Sequence, residues 1–475
     1  MNETTKTKQA NPVAATVSLV AIVATIVVGI KMGFGAQMSV FAAAIVSVIA
    51  ALLMKAKWAD IQKAGMENIA NYNMAFVILT MVGILIATWL IGGTLPSLIY
   101  YGLELISPRA IVPLAFILCS ITSVCTGTSF GCIATMGLAL YGIGINLGIP
   151  SGVIAGAVVS GAYFGDKMSP MSDTTNLASG VSKVPLYEHI NSMLYTTIPA
   201  AVVALVLFTV AGLVYSGGEM DASKAELICS TLTAHFKINP ILILPAILVL
   251  LVSVFKLPAL LGMGITVVVS VIFAMVFQGV GLVKLMNCAA NGFSIETGVA
   301  LVDPMLNRGG ITSMTGLLVT FMIASVMGGI ITATGILDVL AKDVLLKFIK
   351  NKSVLVITTL IYCYIVNFLT AGGQTVSIIV TEQTFEDAFD RMNIHRRVLS
   401  RTLEDAGTLS APVVPWGVAT LFVMSTLGCG TEYIKFAWFI FIVPIFSILC
   451  AVTGIGMWDR EGNPLWKKGK KVAKV

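Results

Sequence analysis

The sequence predicts an all-α polytopic membrane protein built from two inverted-topology repeats with broken or re-entrant helices. Its composition points to a lipid environment, because 57% of the 475 residues are hydrophobic and 11% are charged, whereas soluble domains carry about 25% charged residues. Roughly a dozen apolar stretches are each about long enough to cross a hydrocarbon core of ~30 Å as a helix. Two polar, proline-containing stretches, starting at Gly165 and Glu404, then repeat one pattern.

The apolar stretches begin near the first residue and continue to residue 455. Stretches 12–30 and 38–54 are separated by a segment whose only charge is Lys31, and 72–92 and 191–215 contain no Lys, Arg, Asp or Glu. The first stretch is too long for the core of a signal peptide, so we expect it to remain as a membrane helix. The other apolar stretches are 110–147, 149–165, 240–255, 257–280, 311–335, 353–381, 411–430 and 436–455.

Basic residues beside the predicted spans indicate orientation. By the positive-inside rule, they place both termini in the cytoplasm and make the number of crossings even. These basic residues flank predicted membrane spans, and the sequence shows no nucleic-acid-binding fold, so no nucleic-acid partner is expected. Segment 217–239 carries Glu219, Asp221 and Glu226 and is predicted to be an external linker between a first repeat, 1–216, and a second repeat, 240–455. A basic cytoplasmic tail, 456–475, follows. The basic residues are Lys6, Lys8, Lys55, Lys57, Lys63, Lys467, Lys468, Lys470, Lys471 and Lys474.

Cysteine and histidine patterns exclude several classes of site. The eight cysteines form no C-x-x-C pair and mostly lie in apolar stretches, which favours free core residues over disulfides or metal ligands. The three histidines, His189, His235 and His395, are scattered. No nucleotide-binding loop of the type G-x-x-x-x-G-K-[ST] occurs, which argues against an ATP-driven pump. We therefore expect no cofactor and no enzymatic chemistry.

The two predicted repeats share an order of elements. In 93–129 and again in 334–375, a short amphipathic helix leads through a basic turn into an apolar helix, which breaks at a small, polar cluster. The acidic stretch follows about 30–40 residues later, reading GDKMSPMSDTTN in one repeat and EDAGTLSAPVVPWG in the other. Loop 142–152 is uncharged whereas its counterpart 390–401 contains four arginines, which favours opposite orientations. A divergent pair of ordinary helix hairpins is the alternative.

The breaks are the predicted place of the binding site. A helix interrupted in lipid frees backbone groups that a bound ion, water or protein must satisfy, and an ionisable group at this depth is a functional candidate. We expect Asp166, Asp173 and Asp405 to bind Na⁺, and Lys167 to pair with Asp173 or Asp166. The alternatives are helix caps and a buried structural pair. The predicted ion- or substrate-binding residues are Thr126, Thr128, Ser129, Asp166, Lys167, Ser169, Asp173, Thr174, Asn176, Asn367, Thr370, Gln374, Glu404, Asp405, Thr408 and Ser410.

Small residues precede Asp166 at helical spacing. Gly152, Gly156, Ser160, Gly161 and Gly165 predict a face that packs closely on another helix. Such a face is compatible with a mobile element that slides past a scaffold, as in an elevator-type carrier.

At these residues the sequence resembles the NhaC family of Na⁺/H⁺ antiporters, within the wider ion-transporter superfamily. The resemblance is carried by SGAYFGDKMSPMSDTTN at 160–176, His189, LYTT at 194–197 and LSRTLEDAGTLSAPVVPW at 399–416. It implies a homodimeric carrier of the prokaryotic cytoplasmic membrane that exchanges Na⁺ for H⁺ by alternating access. Relatives couple Na⁺ and H⁺ to malate and lactate or to an amino acid.

Two residues depart from the pattern of that family. Gly373 stands where an acidic residue is expected at the second break, and Gly417 where an amide follows Pro415-Trp416. We expect both to enlarge the site and make it less polar, which favours an organic anion. The first hypothesis is a sodium/proton antiporter. The alternatives are a coupled transporter of an organic carboxylate or amino acid and, in a different class, an ion channel, which would need a continuous pore but no broken repeats.

Overall fold

The computed structural model describes residues 12–70, 73–105, 107–215, 222–254, 259–299, 302–339 and 349–467. Throughout these ranges every regular element is helical, and the only β-type pairing is an isolated bridge between Trp458 and Pro464. Together with its apolar helices, this confirms the predicted class of all-α polytopic membrane protein. Lys6, Lys8 and the lysines of 468–475, on which the predicted orientation partly depends, lie outside the described residues.

The N-terminal half contains eleven described helices, of which α11 is the longest. They are α1 Pro12–Lys31, α2 Gly35–Leu53, α3 Trp58–Ala70, α4 Asn73–Ile91, α5 Thr94–Leu105, α6 Pro108–Thr126, α7 Ser129–Cys132, α8 Leu138–Asn146, α9 Ser151–Met168, α10 Asp173–Val181 and α11 Leu186–Tyr215. A π-helical segment, Ile133–Gly137, makes α7 and α8 continuous.

The C-terminal half has a similar alternation of long and broken helices. They are α12 Ala222–His235, α13 Leu244–Val254, α14 Ala259–Val276, α15 Leu282–Asn291, α16 Asp303–Leu306, α17 Ile311–Ala333, α18 Ile336–Val339, α19 Lys352–Leu369, α20 Gln374–Arg391, α21 Arg396–Leu403, α22 Val418–Leu427 and α23 Trp438–Thr453. The π-helical segment Glu404–Thr408 and the 3₁₀ turn Ala411–Val413 connect α21 to α22.

The number of membrane-spanning helices depends on how the bent pairs are counted. Within the described ranges, six helices are long and apolar enough to cross a membrane, and nine do so if each of three bent pairs is one span. Three shorter apolar helices lie in α2, α14 and α23. The predicted dozen is therefore reached only when bent and short helices are counted as crossings.

Both predicted breaks are present at the ends of long helices. α6 ends at Gly127, whose φ of 67° is the left-handed conformation that glycine adopts without strain. α19 ends at a turn in which Ala371 and Gly372 have φ of 53° and 86°. Two residues separate α6 from α7 and four separate α19 from α20, and the acidic stretch follows in each half. The order of elements thus agrees with the two predicted repeats, while their inverted orientation stays a prediction.

Three predicted loops are more helical than expected. The described part of linker 217–239 is mainly α12. Ile228 and Leu232 lie one turn apart on this helix and are both buried, and their packing stabilises it. The uncharged stretch 142–152 is mostly the end of α8 and the start of α9. Stretch 390–401 contains only a short turn before α21. The His395 side chain caps the start of α21 by accepting a hydrogen bond from the Arg397 N–H.

The small residues of α9 pack closely, as predicted. A Cβ at Gly161 or Gly165 would collide with the carbonyl oxygen of Phe116 or Ser120 on α6, and one at Gly156 would lie 2.6 Å from Phe436. The Ser123 hydroxyl also donates to the Ala162 carbonyl at 2.6 Å. This packing brings the C-terminal end of α9, with Asp166, against the break that ends α6.

Candidate functional site

A cavity of about 180 Å³ lies where the two broken elements meet. Its walls come from both halves of the chain, with α4 and α17 closing one side through Ile78, Leu79, Phe321, Ala324 and Ser325. A buried water needs ≳10–15 Å³ of comparable volume, so this space holds on the order of ten waters. The predicted site residues that line it are Thr128, Ser129, Asp166, Asp173, Thr174, Thr370 and Gln374.

Four helix N-termini meet at this cavity. The lining residues include the first residues of α7, α10, α20 and α22 or those immediately before them: Thr128 and Ser129, Ser172 and Asp173, Gly373 and Gln374, and Val418 and Ala419. Amides in the first turn of a helix lack an intrahelical acceptor, and the N-terminal end of the helix dipole is positive. Negative groups are therefore favoured here, whether they belong to the protein or to a ligand.

Asp166 is the buried carboxylate of the cavity. It lies in the last turn of α9, is 6% exposed, and its Oδ2 accepts a hydrogen bond from the Ser129 N–H at 3.1 Å. Asp173 is the second lining carboxylate and is exposed, as the first residue of α10. Among the residues that the structure describes, no Lys or Arg lines the cavity, and its charged side chains are these two aspartates.

Lys167 and Asp405 form a fully buried ion pair behind the cavity. Lys167 Nζ donates to Asp405 Oδ1 at 2.7 Å, and both side chains are 0% exposed. The Thr196 hydroxyl on α11 donates to the same oxygen at 3.0 Å. The prediction that Lys167 pairs with Asp173 or Asp166 is wrong, because its side chain leaves α9 toward Met193 and Thr196 of α11, away from the cavity.

Arg401 extends this charged cluster. Its Nε lies 4.0 Å from Asp405 Oδ2, and its Nη1 donates to the Gly456 carbonyl at 2.6 Å. The Arg401 side chain is also completely buried. One carboxylate therefore faces two buried cations, and the segment after α23 is held against α21 by the second of them.

Glu404 is buried and has no ion-pair partner among the described residues. It is 0% exposed, and neither of its carboxylate oxygens meets hydrogen-bond geometry with a described residue. The hydroxyls of Thr408 and Thr174 face it, and the charges of Lys167 and Asp166 act on it. Glu404 lies in the π-helical segment that continues α21, before the polar break and not inside it.

Several predicted residues hold the breaks together without lining the cavity. Asn367 Nδ2 donates to the Gly407 carbonyl at 2.5 Å and the Ser410 hydroxyl at 2.6 Å, so it joins α19 to the π-helical segment. Gln374, which does line the cavity, donates to the Thr408 carbonyl at 3.3 Å. The others make local hydrogen bonds. The Thr126 hydroxyl donates to the carbonyls of Ser123 and Thr128, and the Asn176 amide donates to the carbonyls of Pro170 and Ser172. The Ser169 hydroxyl accepts a hydrogen bond from the Met171 N–H.

The two glycines that depart from the family pattern have different positions. Gly373 lines the cavity, and the loss of a carboxylate at this position stays a prediction. Gly417 does not line it, and a Cβ at that position would lie 2.9 Å from the Cβ of Val414 and 3.2 Å from the Ala371 carbonyl oxygen. The expectation that Gly417 enlarges the site is therefore wrong; this glycine lets the start of α22 approach the second break.

Sequence reasoning missed Ser325, Tyr163 and the role of Thr196. Ser325 lines the cavity from α17, and its hydroxyl has no partner among the described residues. Tyr163, on α9, is completely buried, and its hydroxyl faces Ser129 and Gln374. Thr196 and His189 belonged to the resemblance without an assigned role, and His189 Nδ1 lies 2.8 Å from the Ser400 hydroxyl. The contacts of these side chains are made with residues far away in the sequence, so their roles become visible only in the folded structure.

Metal-binding side chains are not clustered. In the part of the chain that the structure describes, no group of three His, Cys, Asp or Glu residues is placed to hold a metal ion. All eight cysteines are free, as predicted. Of the three predicted Na⁺ ligands, Asp166 and Asp173 line the cavity, whereas Asp405 is bonded to Lys167.

Comparison with known proteins identifies relatives along most of the chain. The model of the Na⁺/H⁺ antiporter family matches residues 161–455, more than half of the sequence. The malate-2H⁺/Na⁺-lactate antiporter of Bacillus subtilis is 39% identical over 90% of this chain and 91% of its own length. The Na⁺/H⁺ antiporter NhaC of Alkalihalophilus pseudofirmus is 37% identical over 86% and 88%. The arginine/ornithine antiporter ArcD of Halobacterium salinarum is 33% identical over 92% and 90%.

Proposed function

This chain belongs to the Na⁺/H⁺ antiporter family, and from that membership we propose that it is a secondary antiporter that exchanges Na⁺ for H⁺ through the cavity between its two broken elements. The observation that carries the proposal is Asp166, a buried carboxylate that lines this cavity. A neighbouring cation favours the ionised form of such a group, and desolvation favours the protonated form. Na⁺ and H⁺ therefore compete for one carboxylate, which is the minimum requirement for antiport.

The oxygen atoms around Asp166 suit a hard cation. Asp173, Thr128, Ser129 and Thr174 line the same cavity, and hard cations prefer carboxylate, carbonyl and hydroxyl oxygens. The ion pair Lys167–Asp405 joins the two halves directly behind Asp166. Asp166 is the sequence neighbour of Lys167, whose ion pair connects the two halves. A change of charge at Asp166 therefore acts next to this contact, which supports coupling between ion binding at Asp166 and the conformation of the protein.

Reconstituted flux measurements test this function. We expect purified protein in proteoliposomes, given an inward Na⁺ gradient, to move protons outward and make the interior alkaline. A K⁺ gradient of the same size, in place of the Na⁺ gradient, is the control for ionic strength. In separate liposomes, valinomycin holds the membrane potential constant, so that proton movement by exchange is distinguished from proton leakage driven by a membrane potential. Na⁺ entry that is not accompanied by proton movement would favour an ion channel and contradict antiport.

We also propose that the two halves lie in opposite orientations, with both termini in the cytoplasm of a prokaryotic cell. The ends of α9 and α21 support this. The start of α9 contacts Glu432 and Phe436, whereas the start of α21 contacts Trp458 and the segment that follows it. Their other ends meet at the Lys167–Asp405 pair. Movement as an elevator and assembly as a homodimer belong to the same proposal.

Cysteine labelling tests the inverted orientation. Pro150 and Arg391 are exposed; Pro150 immediately precedes α9, and Arg391 is the last residue of α20, before the turn that leads to α21. In a variant without other cysteines, we expect Pro150→Cys to react with an impermeant maleimide from outside the cell and Arg391→Cys only after permeabilisation. Pro150 is preferable to Gly148, whose φ of 80° would strain a cysteine. Labelling of both positions from one side would contradict the inversion.

Transport of an organic carboxylate or amino acid is a second candidate. The cavity volume supports it, because about 180 Å³ is far more than one Na⁺ fills. Gly373, which lines the cavity without a side chain, leaves part of this space open. The same flux experiment decides between the candidates when organic acids are added singly: an acid that changes the rate of Na⁺-driven proton movement is carried or bound.

A further inference from the structure

The second half presents two uncapped helix N-termini to the cavity. α20 and α22 follow the N-cap residues Gly373 and Gly417, neither of which has a side chain to accept from the first-turn amides. Among the described residues, the N–H groups of Thr375 and Val376, and of Ala419 and Thr420, donate no hydrogen bond. Such amides, at the positive end of a helix dipole, form a binding site for anions.

The first half fills the equivalent place with its own carboxylate. There the first amide of the α7–α8 helix, Ser129 N–H, donates to Asp166 Oδ2 at 3.1 Å, and Gly131 N–H donates to the Thr128 hydroxyl at 3.3 Å. The acidic residues of the second half in the matching place are Glu404 and Asp405; Asp405 is turned toward Lys167, and Glu404 does not line the cavity. Among the described residues, no carboxylate accepts a hydrogen bond from the first amides of α20.

A buried hydroxyl without a partner borders the same space. Ser325 lines the cavity and is 3% exposed, and its Oγ has no hydrogen-bond partner among the described residues. A buried hydroxyl without a partner is unfavourable, and a ligand oxygen in the cavity would satisfy it.

We propose that the carboxylate of a small organic acid binds at the N-termini of α20 and α22, with the Ser325 hydroxyl as a further donor. This rests on the proposed function, because Asp166 and Asp173 make the unliganded cavity negative and none of the described Lys or Arg residues lines it. The acid therefore binds together with Na⁺ or H⁺ at those aspartates and not alone. Gly373 is the residue that leaves room for it.

Substitution of Gly373 tests the site. Gly373 has φ of −72°, which accepts a side chain, and Asp is a favoured N-cap residue. Gly373→Asp would place a carboxylate on the α20 amides, where the ligand carboxylate is proposed to bind. We expect the affinity for the acid to fall about tenfold or more, since a charge-assisted bond is lost. Gly373→Asn is the control, with a neutral cap of the same size.

The measurement is calorimetric titration of the purified full-length protein in Na⁺ buffer with L-lactate, succinate and L-alanine. Lactamide and succinamide, which lack the carboxylates, are the matched neutral probes. We expect at least one acid to bind, its amide not to bind, and binding to weaken when choline replaces Na⁺. Equal affinity in wild type and Gly373→Asp, or no binding of any of the three acids to a wild type that exchanges Na⁺ for H⁺, would overturn the proposal. Absence of Na⁺/H⁺ exchange itself would instead refute the proposed function.

Discussion

Replacement of Asp166 by Asn is expected to abolish Na⁺-driven proton movement without unfolding the protein. The Asn side chain has nearly the same shape, and its Oδ1 can still accept from the Ser129 N–H, so the contact between α9 and the start of α7 remains. The negative charge that attracts Na⁺ and the group that takes up the proton are both lost. Loss of a buried, hydrogen-bonded charge costs about 2–5 kcal/mol, which corresponds to roughly 30- to 5,000-fold in rate or affinity.

Matched variants separate this effect from a general loss of function. Asp173→Asn changes the other lining carboxylate, which is exposed, and we expect a smaller reduction. Asp60→Asn removes an exposed charge on α3 that does not line the cavity, and the variant is expected to transport as wild type. Rates are measured in proteoliposomes, and thermal unfolding in detergent checks the fold. Wild-type exchange by Asp166→Asn would eliminate the proposed role of this carboxylate.

The helix breaks could be predicted from the sequence because their causes are local. Gly127 and Gly372 adopt left-handed φ values, and the polar residues that follow them start the next helices. The glycine face of α9 was also evident, since spacing of four along a helix places residues on one side. These features, together with the acidic stretches, are enough to place Asp166 and Gln374 at a common site.

The partners of the charged residues could not be predicted in the same way. Lys167 adjoins Asp166 in the sequence, yet it bonds Asp405, 238 residues away, because neighbouring side chains on a helix point in different directions. Ser325 lies in an apolar helix without any local signal of function, and only the fold brings it to the cavity. The direction of a side chain and the approach of distant helices depend on tertiary packing, which one sequence does not specify.

The buried Lys167–Asp405 pair predicts an asymmetric loss of stability. Removal of one partner from a buried ion pair costs about 3–5 kcal/mol, because the other charge stays in a low-dielectric environment without compensation. Asp405→Asn leaves two buried cations, Lys167 and Arg401, whereas Lys167→Met leaves Asp405 with Arg401 still 4.0 Å away. We therefore expect Asp405→Asn to lower the free energy of unfolding more than Lys167→Met. The thermal unfolding temperature in detergent measures both.

The double variant Lys167→Met/Asp405→Leu distinguishes a structural pair from one that takes part in transport. Replacement of both charges by apolar groups of similar size is often neutral for stability, although Arg401 and Thr196 stay near the site and retain part of the cost. We expect the double variant to be more stable than Asp405→Asn and yet inactive in Na⁺-driven proton movement. If stability and transport recovered together, the pair would serve only to hold the halves in register. Recovery of stability alone would mean that the charges themselves, one residue from Asp166, are needed when Na⁺ and H⁺ exchange.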